Sequence, residues 1–409
     1  MGFLMFFNVL RLNVSVVFVI YIQKLKKTYM GGLSKHMMHV YDNYGLTIDA
    51  ISDMISDLIN GNVELHEKID GFNIHVSYIN GSVRFFRNKN DILSGGMTAR
   101  DMEEKWSDNP RVRDVYMSAA KIITPYIEGL SYFFNSNDHV ITLNVECVDG
   151  KTNIIPYAYA AVFIHNVWLW DKQTGEVLDV CDLANYQQAL INESYKYSDI
   201  FTNLPIFQTT LEPDKKAAID YFVKRLEDIM GSNYTLYGYY YSRFKDYMDL
   251  NGFSWFFKLD ETIKKAIFER LFFNIKSVEV NVIYKACADK CNIKEWLNIY
   301  GKIAKRCCMY DIKLFFIKLG NFLMRHCYGY INYPNRYIIC DILDNLFKSR
   351  LSDLYDSGTV SDEQDFNVNL IRDAEWQINA LEGFVFDYKG DKYKLTGTFG
   401  PLNQIMWDR

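Results

Sequence analysis

Cysteine pairs at zinc-binding spacing and proline-rich segments are both missing from this sequence. Only 7 of the 409 residues are proline, which excludes a long proline-rich linker between domains. The 8 cysteines include no C-x-x-C pair, so we expect free thiols in a reducing compartment and predict a cytoplasmic protein. The four-residue spacing of Cys287 and Cys291 matches no zinc module, so no zinc is expected.

The chain also lacks a large excess of charge of either sign. Its formal net charge is −5, which excludes a generally basic nucleic-acid-binding protein, so any such contact must come from a local patch. Charged residues make up 23% of the chain and aromatic residues 16%. This composition predicts a folded globular protein with room for two or three domains.

Residues 2–22 are mostly apolar but lack the usual features of a membrane or secretion signal. Arg11 stands in the middle of this segment between Asn8 and Asn13, and a charge at that depth of a bilayer is costly. No small-residue cleavage site follows it. We therefore predict that residues 1–29 form an extension outside the main fold and that a membrane is not a partner; a membrane anchor is the alternative.

One lysine lies in a turn between two predicted strands. Residues 67–73 read Glu-Lys-Ile-Asp-Gly-Phe-Asn, and residues 73–79 alternate apolar with polar side chains. The dipeptide Asn80-Gly81 then predicts a two-residue hairpin turn before a strand at residues 83–86. Lys68 would therefore sit beside a hairpin, a stiff place in which a functional side chain could be held. The alternative is a polar turn, because Asp-Gly is a common turn pair.

Two patterns near the C-terminus add a carboxylate and two cations. Glu382-Gly383 comes directly before an alternating segment, and Lys392 and Lys394 alternate with Tyr393 and Leu395. Alternation with period two predicts strands whose successive side chains point to opposite faces. The two lysines would share one face of a strand, and taken alone this pattern also fits a solvated strand face.

In this order, the segments resemble the motifs of the covalent nucleotidyltransferase superfamily, which includes ATP-dependent DNA and RNA ligases and mRNA capping enzymes. Residues 68–71 resemble its K-x-D-G motif, residues 382–385 its E-G-x-V motif and residues 392–394 its K-x-K motif. The form at residues 67–73 is closest to the RNA ligase 2 branch. Residues 392–404 resemble ligase-like proteins of large tailed bacteriophages, which implies a viral protein in the host cytoplasm.

The resemblance implies a role for each of these residues. The catalytic set would be Lys68 as the nucleophile with Glu382, Lys392 and Lys394. Glu146 and Glu382 would hold Mg²⁺, because this hard cation prefers carboxylate oxygens. The nucleotide would be bound by Glu67, Asp70, Gly71, Asn73, Arg87, Glu146 and Phe163.

Nearby cations are expected to prepare Lys68 for its reaction. Lys392, Lys394 and a bound metal would lower the pKa of the ammonium and free the amine to attack the α-phosphate of ATP. Other roles stay open for three of the nucleotide-binding candidates when each is taken alone. They are a solvated hairpin arginine at 87, a water-facing strand residue at 146 and a core phenylalanine at 163.

The expected fold class is α+β, with a ligase-type nucleotidyltransferase domain built on ATP-grasp-like antiparallel sheets. Residues 30–210 and 356–409 would form this domain, with no C-terminal OB domain after it. Residues 211–355 change to helical periodicity and predict an inserted helical region, including helices at residues 216–230, 293–304 and 312–326. The tyrosine-rich residues 234–241 could stack on unpaired bases, but buried packing is the favoured interpretation.

The predicted function is that of an ATP-dependent polynucleotide ligase that uses ATP and Mg²⁺. It would form a lysyl-AMP intermediate and seal 5′-phosphate to 3′-hydroxyl ends, with RNA slightly favoured over DNA as the nucleic-acid partner. Two alternatives stay open. One is a nucleotide-binding regulatory protein that has lost ligation, and the other is a capping-type nucleotidyltransferase that uses GTP.

Overall fold

The computed structural model describes residues 37–182, 187–202, 208–209, 214–356 and 360–407. The predicted apolar extension at residues 1–29 lies outside these ranges. Within them, no helix is both long enough and apolar enough to cross a membrane.

The secondary structure alternates strands and helices before and after a helical region. The strands are β1 (Met38–His39), β2 (His66–Lys68), β3 (Phe72–Ile79), β4 (Ser82–Phe86), β5 (His139–Val148), β6 (Ala161–Asp171), β7 (Val177–Asp182), β8 (Ile200–Phe201), β9 (Gln208–Thr209), β10 (Cys327–Tyr328), β11 (Gly383–Tyr388) and β12 (Asp391–Leu395). The helices are α1 (Ile48–Asn60), α2 (Lys89–Leu93), α3 (Ala99–Lys105), α4 (Pro110–Gly129), α5 (Gln187–Ser194), α6 (Lys215–Met230), α7 (Leu236–Leu250), α8 (Ser254–Phe257), α9 (Glu261–Phe273), α10 (Val280–Cys287), α11 (Ile293–Trp296), α12 (Lys302–Arg325), α13 (Arg336–Asp356), α14 (Asp362–Asp373) and α15 (Phe399–Trp407).

The protein is of mixed α/β class with antiparallel sheets, and the described strands include a parallel pairing. The largest sheet has the order β4-β3-β5-β6-β7, with β8 parallel to β6. Asn80 and Gly81 turn between β3 and β4 with φ of 51° and 78°, as a hairpin turn of this type requires, so the predicted hairpin is confirmed. The ligase-type arrangement stays a prediction.

Helix α4 covers one face of this sheet. Its residues Val115, Ala119 and Ile123 are buried in the same cluster as Ile74 and Val145, which lie on neighbouring strands. Because side chains alternate along a strand, the residues between these apolar positions face away from α4. The opposite face is therefore left for polar residues, which form part of the candidate site. The rest of the site lies on a second sheet, in which β11 pairs with β12 on one side and with β2 on the other.

The chain divides into two compact units, and the first is helical. Its described residues are 37–58 and 214–316. Helix α6 ends at Met230 before Gly231, whose φ is 56°, which confirms the predicted helix and its glycine stop. Tyr239 and Tyr240 of α7 are buried, and the Tyr240 hydroxyl donates to the Tyr41 carbonyl at 2.8 Å. These tyrosines are packing residues, as expected.

The second unit holds the largest sheet and the C-terminal strands and helices, within residues 59–213 and 317–409. It includes residues 317–355, which the sequence assigned to the helical insertion. The end of α12 packs closely on the segment after β12, because a Cβ on Gly320 would lie 2.9 Å from the Gly397 nitrogen. The buried Asn321 side chain accepts a hydrogen bond from the Thr398 N–H at 3.0 Å.

Candidate active site

Strand pairing brings Lys68 to Glu382 across 314 positions of sequence. Strand β2 pairs with β11 so that Lys68 lies opposite Gly383. The Lys68 Nζ donates to Glu382 Oε1, and the two side chains are only 21% and 9% exposed. A Cβ on Gly383 would lie 2.3 Å from the Leu395 carbonyl oxygen, so only glycine fits between Glu382 and the strand.

Carboxylates dominate the electrostatics of Lys68. Burial alone would lower the pKa of the ammonium, but Glu382 and then Glu146 act in the opposite direction and leave it raised above its ordinary value. Burial raises the pKa of Glu382, and Lys68 offsets part of that rise. Lys68 is therefore held as a protonated ammonium that donates to Glu382. The sequence led us to expect a lowered pKa for Lys68. The pKa is raised because the charged neighbours of Lys68 are carboxylates and not cations.

The turn after Lys68 is held by a loop that runs from β5 to β6. The Asp70 carboxylate accepts the Ile155 N–H at 2.9 Å, and the Asp70 N–H donates to the Tyr157 hydroxyl at 2.8 Å. Asn153 donates its side-chain amide to the Asp70 carbonyl. Asp70 therefore fixes the backbone next to the lysine through both its side chain and its main chain.

Gly71 lets strand β5 pass close to the turn that follows Lys68. A Cβ at this position would lie 2.6 Å from Glu146 Cγ and 2.9 Å from the Cys147 carbonyl oxygen. Both distances are shorter than carbon side-chain contacts allow. The glycine of the K-x-D-G sequence thus brings the Glu146 carboxylate next to Lys68, which agrees with the effect of Glu146 on the lysine pKa.

A row of four side chains crosses the sheet face opposite α4. Asn73 pairs with Glu146, Glu146 with Phe163, and Phe163 with Phe201, on strands β3, β5, β6 and β8. Paired residues share a face of the sheet, so the row begins with an amide and a carboxylate and ends with two aromatic rings. The His165 Nε2 lies 3.4 Å from Glu146 Oε2.

The aromatic end of this row differs from the expectation for Phe163. The Phe163 ring is 1% exposed and stacks on Phe201 with centroids 5.0 Å apart and planes at 16°. Tyr159 also stacks on Phe201, at 6.2 Å and 29°, and is 40% exposed. Phe163 is thus a core residue, whereas the Tyr159 ring is exposed to solvent. Sequence reasoning missed Phe201 because a two-residue strand has no detectable period.

Arg87 directly follows β4 and lies next to Asn73. Its Nη1 donates to the Asn73 carbonyl, and the Tyr116 hydroxyl donates to that carbonyl at 3.2 Å. The Arg87 guanidinium also lies 5.6 Å from the Tyr116 ring centroid. These contacts hold Arg87 close to Asn73, at the polar end of the row.

Glu67 and Lys68 point to opposite faces of the sheet that β2 forms with β11. Neighbouring residues of a strand point to opposite faces, and Glu67 pairs with Phe384 whereas Lys68 pairs with Gly383. The buried Glu67 carboxylate accepts the Ile331 N–H at 2.9 Å. Burial raises its pKa to about 7. Glu67 therefore ties the segment after α12 to the strand that carries the lysine.

Lys392 and Lys394 lie on β12, in the sheet that also contains β11 and β2, and on the face of that sheet that carries Lys68. Lys394 pairs with Val385 and Lys392 with Asp387 on β11. The Lys392 side chain is 54% exposed and forms an ion pair with Asp387 at 3.1 Å. Lys392 therefore has a solvated carboxylate as its partner. Lys394 is the nearer of the two to Lys68 along the strand direction, because Val385 also pairs with His66 of β2.

Two carboxylates, Glu146 and Glu382, are the acidic groups that act most strongly on Lys68. Among the described residues, no group of three or more histidine, cysteine, aspartate or glutamate side chains is arranged to hold a metal ion. Mg²⁺ usually takes only one or two protein carboxylates and completes its shell with phosphate and water oxygens. The pair of carboxylates fits that ion.

The structure brings Lys68, Asp70, Gly71, Glu146 and Glu382 together, with Asn73, Arg87 and Phe163 along the adjoining row. Glu67 and Lys392 have partners elsewhere, as described above. No protein-family model, curated protein or solved structure matches this chain.

Proposed function

We propose that this protein is an ATP-dependent polynucleotide ligase that carries AMP on Lys68. The contact between Lys68 and Glu382 supports this most directly. A buried lysine paired with a carboxylate, next to a second carboxylate and a row ending in aromatic rings, matches what covalent nucleotidyl transfer requires. The residues also stand in the chain order of the motifs that they resemble.

In the first step, the Lys68 amine attacks the α-phosphorus of ATP. A nitrogen–phosphorus bond forms, the bond to the bridging oxygen breaks, and pyrophosphate leaves with its electron pair. The amine must first lose a proton, although Glu382 and Glu146 raise its pKa. Mg²⁺ at these two carboxylates would neutralise the charges that hold the proton and would also stabilise the phosphate oxygens.

The remaining residues bind and orient the nucleotide. Glu146 accepts hydrogen bonds from the ribose, and the Asn73 amide lies opposite it on the next strand. The base extends toward the aromatic end of the row. Lys394 lies on the same sheet face as Lys68 and neutralises charge on the phosphates as the transition state forms.

In the later steps, AMP passes from Lys68 to a 5′-phosphate end, and a 3′-hydroxyl then displaces AMP and joins the strands. RNA is slightly favoured, because residues 67–73 are closest in form to the RNA ligase 2 branch. The expected setting is the host cytoplasm of a virus-infected cell.

The test is covalent labelling followed by sealing. The full chain is incubated with Mg²⁺ and α-labelled ATP or GTP and run on a denaturing gel, with Lys68→Ala, Lys68→Arg and the exposed control Lys89→Ala. We expect label from ATP on the wild type and the control, and none on either Lys68 variant, because arginine cannot form the phosphoramidate. Label on both Lys68 variants would refute the proposal. Label from GTP alone would favour capping, and label without sealing of matched RNA and DNA nicks would favour the regulatory alternative.

A further inference from the structure

A second cluster in the sheet-containing unit combines an arginine with exposed tyrosine rings. The Arg336 guanidinium carbon lies 5.6 Å from the ring centroid of Tyr333 and 4.6 Å from that of Tyr337. Its Nη2 also donates to the Tyr337 hydroxyl at 2.8 Å. Tyr333 and Tyr337 are 39% and 72% exposed. We call Tyr333, Arg336 and Tyr337 the tyrosine–arginine platform.

The platform is held in place before any ligand arrives. The buried Tyr330 packs edge-to-face against Tyr333, with ring centroids 5.4 Å apart. Residues Tyr333–Asn335 form a 3₁₀ turn with Pro334 inside it, directly before α13 begins at Arg336. Proline fixes its own φ angle, so the backbone that connects Tyr333 to Arg336 has little conformational freedom. A preformed surface loses less entropy on binding.

The platform is also tied to the strand that carries the nucleophile. Glu67 precedes Lys68 in β2, and its carboxylate accepts the Ile331 N–H at 2.9 Å. Ile331 is two residues from Tyr333. A ligand on the platform is therefore bound by a segment whose backbone is anchored next to the reactive lysine.

We infer that the tyrosine–arginine platform binds unpaired nucleotides of the nucleic-acid strand that the enzyme joins. Exposed tyrosine rings stack on bases of any sequence, and the planar guanidinium both stacks and pairs with phosphate oxygens. This inference rests on the proposed function for the identity of the strand end, whereas the stacking chemistry comes from the platform itself.

The surrounding charges indicate that stacking contributes more than attraction to the backbone. The whole chain carries a formal charge of −5, and α13 adds Asp341 and Asp344 after Arg336. A single arginine that neutralises one phosphate of a single strand contributes about −0.7 to the slope of log K against log salt. We therefore expect weak salt dependence, which Arg336→Ala should reduce further by about that amount.

The experiment measures binding of fluorescent 12-nucleotide single strands, both RNA and DNA, to the full-length protein by anisotropy. We expect Tyr337→Leu and Arg336→Ala to weaken binding about five- to a hundredfold, the range found when one stacking residue is removed. Arg336→Lys keeps the charge but loses the planar stack, so it should fall between Arg336→Ala and the wild type. A blunt-ended duplex of the same length should be insensitive to all three changes.

Matched controls lie on the same helix. Tyr355→Leu removes a 59% exposed tyrosine at the other end of α13, and Lys348→Ala removes one positive charge that pairs with Asp344. Both should bind single strands as the wild type does. If the platform variants bind as well as these controls, or if the wild type binds no single strand at low salt, the inference is wrong.

Self-labelling of Lys68 distinguishes this inference from the proposed function. The platform variants should label with ATP at the wild-type rate, because the first chemical step needs no strand. If the platform variants lose single-strand binding while wild-type Lys68 takes no label, the platform stands and the ligase proposal fails. If labelling is normal and single-strand binding is unchanged in the variants, the platform fails and the ligase proposal stands.

Discussion

Replacing Glu382 by glutamine tests the pair at the centre of the site. The change keeps the size of the side chain but removes the negative charge that the buried Lys68 ammonium contacts. Removing one partner of a buried ion pair costs about 3 to 5 kcal/mol of unfolding free energy. Because Glu146 still acts on Lys68, we expect a loss near the lower end, about 3 kcal/mol.

The same change should slow the transfer of AMP to Lys68. Glu382 is one of the two carboxylates assigned to Mg²⁺, and loss of one charge-stabilising group lowers catalytic rates by about tenfold to a thousandfold. The rate is measured as the appearance of label on the protein after mixing with ATP and Mg²⁺. The unfolding free energy is measured separately in urea, so that a slow reaction can be distinguished from a poorly folded protein.

Asp387→Asn provides the matched control on the same strand. Asp387 also pairs with a lysine, but its side chain is 70% exposed and that of Lys392 is 54% exposed. Exposed pairs of this kind contribute about 1 kcal/mol or less, and we expect a labelling rate within about a factor of two of the wild type. If Glu382→Gln matched Asp387→Asn in both stability and rate, the argument for a functional Lys68–Glu382 pair would be refuted.

Two further predictions follow from neighbouring residues. Gly71→Ala should lower the labelling rate about tenfold or more, because the new Cβ would lie 2.6 Å from Glu146 Cγ. The control Gly238→Ala should leave the rate unchanged, because a Cβ there would lie at an ordinary 3.4 Å from its nearest neighbour. Equal labelling rates in the two variants would contradict the packing argument. Glu67→Gln should flatten the pH dependence of stability. Burial raises the folded-state pKa of Glu67 from 4.5 to about 7, so the folded protein binds this proton more tightly and loses stability as pH rises from about 4.5 to 7. Urea unfolding at several pH values should show a gain for Glu67→Gln over the wild type that grows across this window, and a constant difference would argue against a buried ionising Glu67.

Local signals in the sequence predicted local structure well. Asn80-Gly81 predicted a hairpin because both positions need positive φ, which the structure shows. Gly231 likewise predicted the end of a helix.

Prediction failed at residues 293–326, where two separate helices were expected at 293–304 and 312–326. The structure has the short helix α11, a π-helical turn at Leu297–Gly301 and then one continuous helix, α12, from Lys302 to Arg325. Buried contacts on more than one side sustain α12, and a single-face pattern does not reveal them.

The site could be predicted only in part, because strand register decides which residues meet. The expectation that Lys68 and Glu382 lie together came from resemblance, since nothing local connects positions 314 apart. Glu67 was assigned to the nucleotide although strand alternation places it opposite to Lys68, and it binds Ile331 instead. Phe201 could not be found at all, because its place beside Phe163 depends on a parallel pairing of two residues.

The pairing of β2 with β11 has a consequence for the timing of protein synthesis. A ribosome adds about 5 to 20 residues per second, so the 314 positions between Lys68 and Glu382 take roughly 15 to 60 s to make. During that interval the nascent chain contains Lys68 without Glu382, and the edge of β2 that pairs with β11 has no partner strand. An interrupted translation product would therefore lack β11 and Glu382, so the Lys68–Glu382 contact can form only in chains that have been translated through that strand.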